Sequence, residues 1–329
     1  MFPVSFVKVR LAALAVLVSL GSRGARAQAP SPGALATGEH NVVLNGVRLW
    51  YRVAGTGAPD APPVLFLHGG PGYNSYSFAQ IEGPLLEKQL RMIYLDQRGS
   101  GRSERPWTRD YKMATLVEDI DALRRSLGVN QLALIGHSFG GTLALEYASA
   151  HPEHVSKLVL VDILYDAPLQ CRFRAQSLAQ LRPEAYARVA KDTVDSAGVR
   201  RSDCELEFRV LRGADRDAFS NEMMFPDATR RKLQDSLDRA SGLRNTGELS
   251  NAQFNAGLLS YRFTAFARLT MPVLVVVGGQ DRAVGGPPMR DLAKRVPNGR
   301  LVELPKGGHF PYLEEPEAFA RAVTGFLSR

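Results

Sequence analysis

The sequence predicts an α/β fold: a mostly parallel sheet with helices on both faces and a helical insertion above it. Three observations carry this. Short apolar runs alternate with helical patterns toward both ends of the chain, a G-x-S-x-G segment joins one such run directly to a helix, and the alternation stops between about Ile163 and Arg268. The strand-like stretches are Asn41 to Ala54, divided by a turn at Asn45-Gly46, then Pro63 to Leu67, Arg91 to Leu95, Gln131 to Ile135, Lys157 to Val161, Pro272 to Val277 and Arg300 to Leu304. Most are continuously apolar, as strands covered on both faces are. Leu116, Ile120, Leu123 and Leu127 recur at helical spacing, and Thr142 to Ala150 and Pro316 to Leu327 behave alike. The interrupted segment is charged, poor in β-branched runs and punctuated by Pro183, Gly213 and Gly242. Residues 164–267 therefore read as a helical cap inserted into a core of residues 41–163 and 268–329.

At 329 residues, 45% hydrophobic and 22% charged, the composition is that of an ordinary globular chain. The formal charge of +8 suggests nucleic acid, but part of it belongs to the start of the chain. A basic beginning (Lys8, Arg10), an apolar run from Leu11 to Leu20 and Ala25-Arg26-Ala27 have the layout of a cleavable signal peptide over residues 1–27. The run is too short to span a bilayer. Cleavage removes Lys8, Arg10, Arg23 and Arg26 and no acid, which lowers the charge to +4. The expectation is export to the periplasm or outside the cell, with no membrane anchor in the mature chain, and no motif points to nucleic acid. Residues 28–40 read as a flexible lead-in. Cys171 and Cys204 are the only cysteines, 33 positions apart, and an oxidising compartment lets them pair. Two cysteines without clustered histidines argue against a structural zinc site, and no nucleotide or other cofactor is expected.

The chemistry concentrates at a few loops. In "LALIGHSFGGTLALEY" a strand runs into Gly136-His137-Ser138-Phe139-Gly140 and a helix begins at once, which makes Ser138 a candidate nucleophile on a turn too sharp for side chains at the flanking glycines. A serine hydroxyl needs a base. Of six histidines, His40 lies in the lead-in, His68 in an early loop and His137 beside the serine. His151 and His154 are at the far end of the following helix, about 20 Å away. His309, on a Gly-Gly loop after the last strand, remains as the base. The orienting acid belongs between serine and base in chain order, at a strand end. Asp281 fits, and Asp162, which closes "KLVLVD", is the rival. The loop His68-Gly69-Gly70-Pro71-Gly72 follows an apolar strand and offers bare N–H groups. The oxyanion donors are then Phe139 and Gly70, with Gly69 the fallback and Pro71 fixing the loop through a cis bond.

HGGPG (His68 to Gly72), DQRGSGRS (Asp96 to Ser103), GHSFGG (Gly136 to Gly141), GGQD (Gly278 to Asp281) and GGH (Gly307 to His309) occur in the order found in α/β-hydrolases. HGGPG and DQRGSGRS together resemble the proline iminopeptidase branch of that superfamily. The resemblance covers the core and implies a Ser138–His309–Asp281 triad that releases an N-terminal residue, typically proline, from short peptides. Gly-His-Ser-Phe-Gly at the nucleophile, in place of that branch's Gly-Gly-Ser-Trp-Gly, is shared with esterases and carbon–carbon hydrolases.

The expected function is an exported, cofactor-free serine hydrolase acting through an acyl-enzyme on a short peptide or small molecule, as an aminopeptidase. The alternatives are an esterase, lactonase or carbon–carbon hydrolase, and a non-catalytic binding module on the same scaffold. An aminopeptidase must pair its substrate's ammonium with a carboxylate, and the catalytic loops spare none. Glu205, Glu207, Glu222, Asp227 and Glu248 of the cap are the candidates, with Phe208, Phe225 and Phe254 as pocket aromatics. Glu205 and Glu222, with Phe225 nearby, are the first choices because their apolar neighbours imply burial.

Overall fold

The computed structural model describes residues 35–58, 60–190 and 203–328, without the side chains of residues 189, 190, 205 and 208. The proposed leader lies outside the described residues. Eight strands form one sheet: β1 (Gly38–Leu44), β2 (Val47–Ala54), β3 (Val64–Leu67), β4 (Met92–Asp96), β5 (Leu132–His137), β6 (Val155–Val161), β7 (Val273–Gly278) and β8 (Gly299–Leu304). Their order is β1-β2-β4-β3-β5-β6-β7-β8. The pairs from β4 through β8 are parallel, and β1 and β2 are antiparallel additions. Asn45 (φ 48°) and Gly46 (φ 75°) make the two-residue turn between β1 and β2, the positive-φ pair that such hairpins favour.

Strand pairing begins at Gly38, opposite Val53. This corrects the lead-in boundary at residue 40: the alternating exposure of β1 is that of an edge strand, whose backbone pairing does not depend on an apolar run. His40 lies in β1 and stacks on Tyr51 with ring centroids 4.9 Å apart.

Alternate residues of each buried strand feed two apolar layers, because successive side chains point to opposite faces. Leu65, Leu134, Leu158, Leu160 and Val275 join the layer under the helices Met113–Ser126 and Phe139–Ala150. Phe66, Ile135, Val159, Val161 and Val276 join the other, with Phe78, Tyr312 and Phe319. Between β6 and β7 the described residues form the helices Ala167–Leu181, Pro183–Ala190, Leu206–Val210, Gly213–Met224, Ala228–Ser241 and Glu248–Asn255, with short turns between them. Phe219 and Met223 are buried with Leu178, Leu206 and Leu211 in a third apolar cluster within these helices. The segment thus has an interior of its own above the carboxyl ends of the strands. Cys171, in the first of these helices, is disulfide-bonded to Cys204, with Cα atoms 4.7 Å apart.

Candidate active site

Ser138 stands between β5 and the helix Phe139–Ala150 with φ 52° and ψ −123°. A non-glycine residue in that region is strained by roughly 1–3 kcal/mol and persists only where neighbours over-determine it. Here they do. The Ser138 N–H donates to Val161 O (2.9 Å), and its carbonyl accepts from Gly141 N–H (2.9 Å). A Cβ on Gly140 would run into Leu67 O, and one on Gly136 would lie 2.6 Å from Gly140 O. The flanking glycines are required by close backbone approach, which leaves the serine side chain as the group that projects.

His309 reaches it from the loop after β8. Its Nε2 lies 3.1 Å from Ser138 Oγ, and its Nδ1 lies 3.0 Å from Asp281 Oδ2. The other oxygen of Asp281 accepts the N–H groups of Ala283 (2.6 Å) and Val284 (3.3 Å). The three side chains named from the sequence are therefore in hydrogen-bonded series, with His309 and Asp281 buried. Asp162, the rival acid, is also buried but sits one strand away, where it accepts the Gly278 N–H (3.0 Å) and is hydrogen-bonded to Asp281. Burial, then the charge of Asp281, pushes its carboxyl well above the usual range, which favours its protonated form. Glu314, whose Oε2 accepts the Gly308 N–H, is pushed up to about 8, first by burial.

The other histidines near the serine have structural bonds. His137 Nε2–H donates to His309 O (2.7 Å), and burial, followed by His309, lowers its pKa well below the ordinary value. His68 accepts the Gln97 N–H at Nε2 (3.0 Å), so its Nδ1–H donates to Gly69 O (3.0 Å). Asp96 accepts from Ser75 and Arg102, and Arg98 pairs with Asp119 at 2.6 Å. The His68–Gln97 bonds tie the DQRGSGRS turn to the HGGPG loop. The Gly70–Pro71 bond is cis. Among the described residues, nothing accepts a hydrogen bond from the Gly70 or Phe139 N–H, and both residues line the space beside Ser138.

Two chambers open on the serine. The first, about 230 Å³, is lined by Gly70, Phe139, Leu164, Cys171, Arg174 and Leu258 among others. The second, about 210 Å³, is lined by Tyr73, Phe225, Arg231, Gln234, Asp238 and Asn245 as well as Ser138 and His309. Phe225 is placed as the sequence suggested, stacked on Phe310 at 4.8 Å. Glu222 is not. It faces Arg182 at 2.8 Å with 46% of its side chain exposed, and it lines neither chamber. Its apolar neighbours Phe219 and Met223 turn inward, and residue 222 lies on the outer face of that helix. The Glu205 side chain lies outside the described residues. Asp227 caps the helix Ala228–Ser241 through Thr229 N–H, Glu248 accepts from Tyr111 OH, and Glu207 is bound to Arg174.

An acid that the sequence alone does not single out, Asp238, lines the second chamber. Its Oδ1 accepts from Tyr73 OH and from Gln234 Nε2, the latter at 2.9 Å. Gln234 and Asp238 lie one turn apart on a helix whose Leu233 and Leu237 pack inward, a pattern that could have pointed to them. Asp238 stands between Leu237 and Arg239, a setting that does not distinguish it from a solvent-facing helix acid.

A hydroxyl, an imidazole and a carboxylate in hydrogen-bonded series at the carboxyl edge of a parallel sheet are the working parts of a hydrolase. The chain belongs to the alpha/beta hydrolase fold family, whose model matches residues 62–316. It is similar to a proline iminopeptidase of Pestalotiopsis fici, 27% identical over 88% of this chain and 99% of that one. Among solved structures it is similar to a proline iminopeptidase-related protein of Thermus thermophilus, with TM-score 0.69, 27% identity, and 88% and 96% of the two chains covered. An esterase of Exiguobacterium antarcticum shares the fold at TM-score 0.64 and 21% identity, over 89% of this chain and all of the other.

Proposed function

We propose that this chain is an exported serine aminopeptidase that releases proline or another small N-terminal residue from short peptides. Ser138 Oγ attacks the scissile carbonyl as His309 Nε2 takes its proton, and Asp281 holds the imidazole tautomer. The Phe139 and Gly70 N–H groups bind the oxyanion. The C–N bond breaks as His309 returns the proton to the leaving nitrogen. Water, activated by the same imidazole, then hydrolyses the acyl-enzyme.

One observation carries the aminopeptidase reading: the second chamber borders Ser138 and holds acceptors with no donor of their own. Asp238 Oδ2 receives no hydrogen bond among the described residues, and the buried Gln234 Oε1 has no partner. That set suits an ammonium group, which has only donors. The relatives named as proline iminopeptidases agree with this reading, and the leader pattern of residues 1–27 supports export. The esterase reading draws on the apolar wall of the first chamber, where Leu164, Phe254, Leu258 and Leu259 stand.

The test compares prolyl and alanyl p-nitroanilides with p-nitrophenyl acetate, using wild type and Ser138→Ala, together with labelling by a fluorophosphonate. Anilide turnover and labelling that both vanish in the variant are expected. Ester turnover alone moves the esterase reading ahead, and equal activity in both proteins overturns the mechanism.

A further inference from the structure

The first chamber has a feature that hydrolysis itself does not use. Cys171, Arg174, Cys204 and Glu207 line it, and the same four line a small adjoining recess with no part of the serine relay in its wall. They therefore form the end of the chamber remote from Ser138. Two rungs cross that end. The first is the Cys171–Cys204 disulfide. The second is the ion pair between Arg174 and Glu207, each three residues further along its own segment. Arg174 Nη2 lies 2.8 and 2.6 Å from the two oxygens of Glu207, and its Nε lies 3.1 Å from Oε2. The covalent rung holds the two segments together and so fixes where the guanidinium stands.

Both carboxylate oxygens of Glu207 are engaged by Arg174, and its side chain is 13% exposed against 28% for Arg174. Arg174 Nη1 makes no hydrogen bond among the described residues. A guanidinium presents five N–H donors in a rigid plane, so the edge that includes Nη1 stays available to a second acceptor. The chamber wall around it is mainly apolar, and in such surroundings a charge-assisted hydrogen bond is strong.

We propose that Arg174 forms a carboxylate-binding subsite that takes the free carboxylate of a short leaving group. The ligand class is a dipeptide with its C-terminus free, or an ester whose alcohol half ends in a carboxylate. The chamber, about 230 Å³, has room for a residue-sized leaving group. The proposal rests on Ser138 as the nucleophile and places the amine-bearing acyl half in the second chamber, so the two chambers read opposite charges at the two ends of one short substrate.

The test is calorimetric titration of the Ser138→Ala protein with prolylglycine and with prolylglycinamide, repeated after adding Arg174→Gln or Glu207→Gln. Intact mass verifies the disulfide in each variant. The free acid is expected to bind at least tenfold tighter than the amide. Arg174→Gln should bring the two within about twofold, whereas Glu207→Gln, which leaves the cation in place, should keep or widen the gap. Turnover of O-acetylglycolate against O-acetylglycolamide by the protein with native Ser138 gives a second readout that needs no amine. Acid preference in the glycolate pair without dipeptide binding removes the aminopeptidase reading and keeps the subsite. Equal binding of acid and amide with no preference in the glycolate pair overturns the subsite. Parallel losses for acid and amide in both variants also overturn it, because a structural clamp would behave that way.

Discussion

The carboxyl groups of Asp162 and Asp281 are hydrogen-bonded to each other behind His309, and both side chains are buried. Burial, then the charge of Asp281, pushes the Asp162 carboxyl well above its usual range, which favours its protonated form. Asp162 therefore acts on Asp281 as a donor, while Asp281 faces the imidazole.

This division of roles predicts unequal variants. Asp281→Asn should lower kcat by about 10³–10⁴-fold, because the imidazole loses the partner that sets its tautomer. Asp162→Asn, which keeps a donor toward Asp281, should stay within about tenfold of wild type. Steady-state kinetics on the most active substrate check both. Equal losses would place the orienting charge on Asp162.

Asp238→Asn should raise KM for free-amine anilides by about 10²-fold and leave KM for p-nitrophenyl acetate nearly unchanged, because only the ammonium loses a charged partner. Glu222→Ala should change neither, since that side chain is engaged at the surface with Arg182. Measuring the two KM values in parallel separates amine recognition from a general loss of the site.

Among the described residues Glu82 has no hydrogen-bond partner for either oxygen, and burial, then Glu317, pushes it up to about 9. An unfolded glutamate titrates near 4.3. Between those values the folded chain holds a proton that the unfolded chain has lost, so stability falls as pH rises through the window. The isosteric Glu82→Gln change removes the dependence. It should stabilise by about 2–4 kcal/mol at pH 8 and by little at pH 4.5. Thermal melts of both proteins from pH 4.5 to 9 test this, and parallel curves would refute it.

The Cys171–Cys204 bridge closes a 33-residue separation, for which loop entropy implies about 3–4 kcal/mol. Cys171→Ser/Cys204→Ser should lower the melting temperature by several degrees. It should also raise KM more than it lowers kcat, because the bridge lines the first chamber while Ser138, His309 and Asp281 are held by the core. Unchanged KM with a lowered melting temperature would confine the bridge to stability.

Legible in the sequence were the features that depend on neighbours along the chain. The buried strands are continuous apolar runs, Gly136 and Gly140 mark a turn whose closeness excludes side chains, and His309 remains once the other histidines are placed. The triad order singles out Asp281 because core loops emerge from adjacent strands at one edge of the sheet, which topology alone dictates.

The tertiary structure decided what no local pattern contains. Tyr73 meets Asp238 across 165 positions of chain, and that contact exists because the helix Ala228–Ser241 packs against the helix Tyr76–Ile81 that follows Tyr73. Whether a cap acid faces a chamber or solvent depends on helix rotation and on the partner it meets. Glu222, beside Met223, turns outward to Arg182, while Asp238, between Leu237 and Arg239, turns toward the serine. The proton between Asp162 and Asp281 is likewise a tertiary property. Each residue closes its own strand, and only the pairing of β6 with β7 brings the two carboxyls into one buried place where a single negative charge is tolerated.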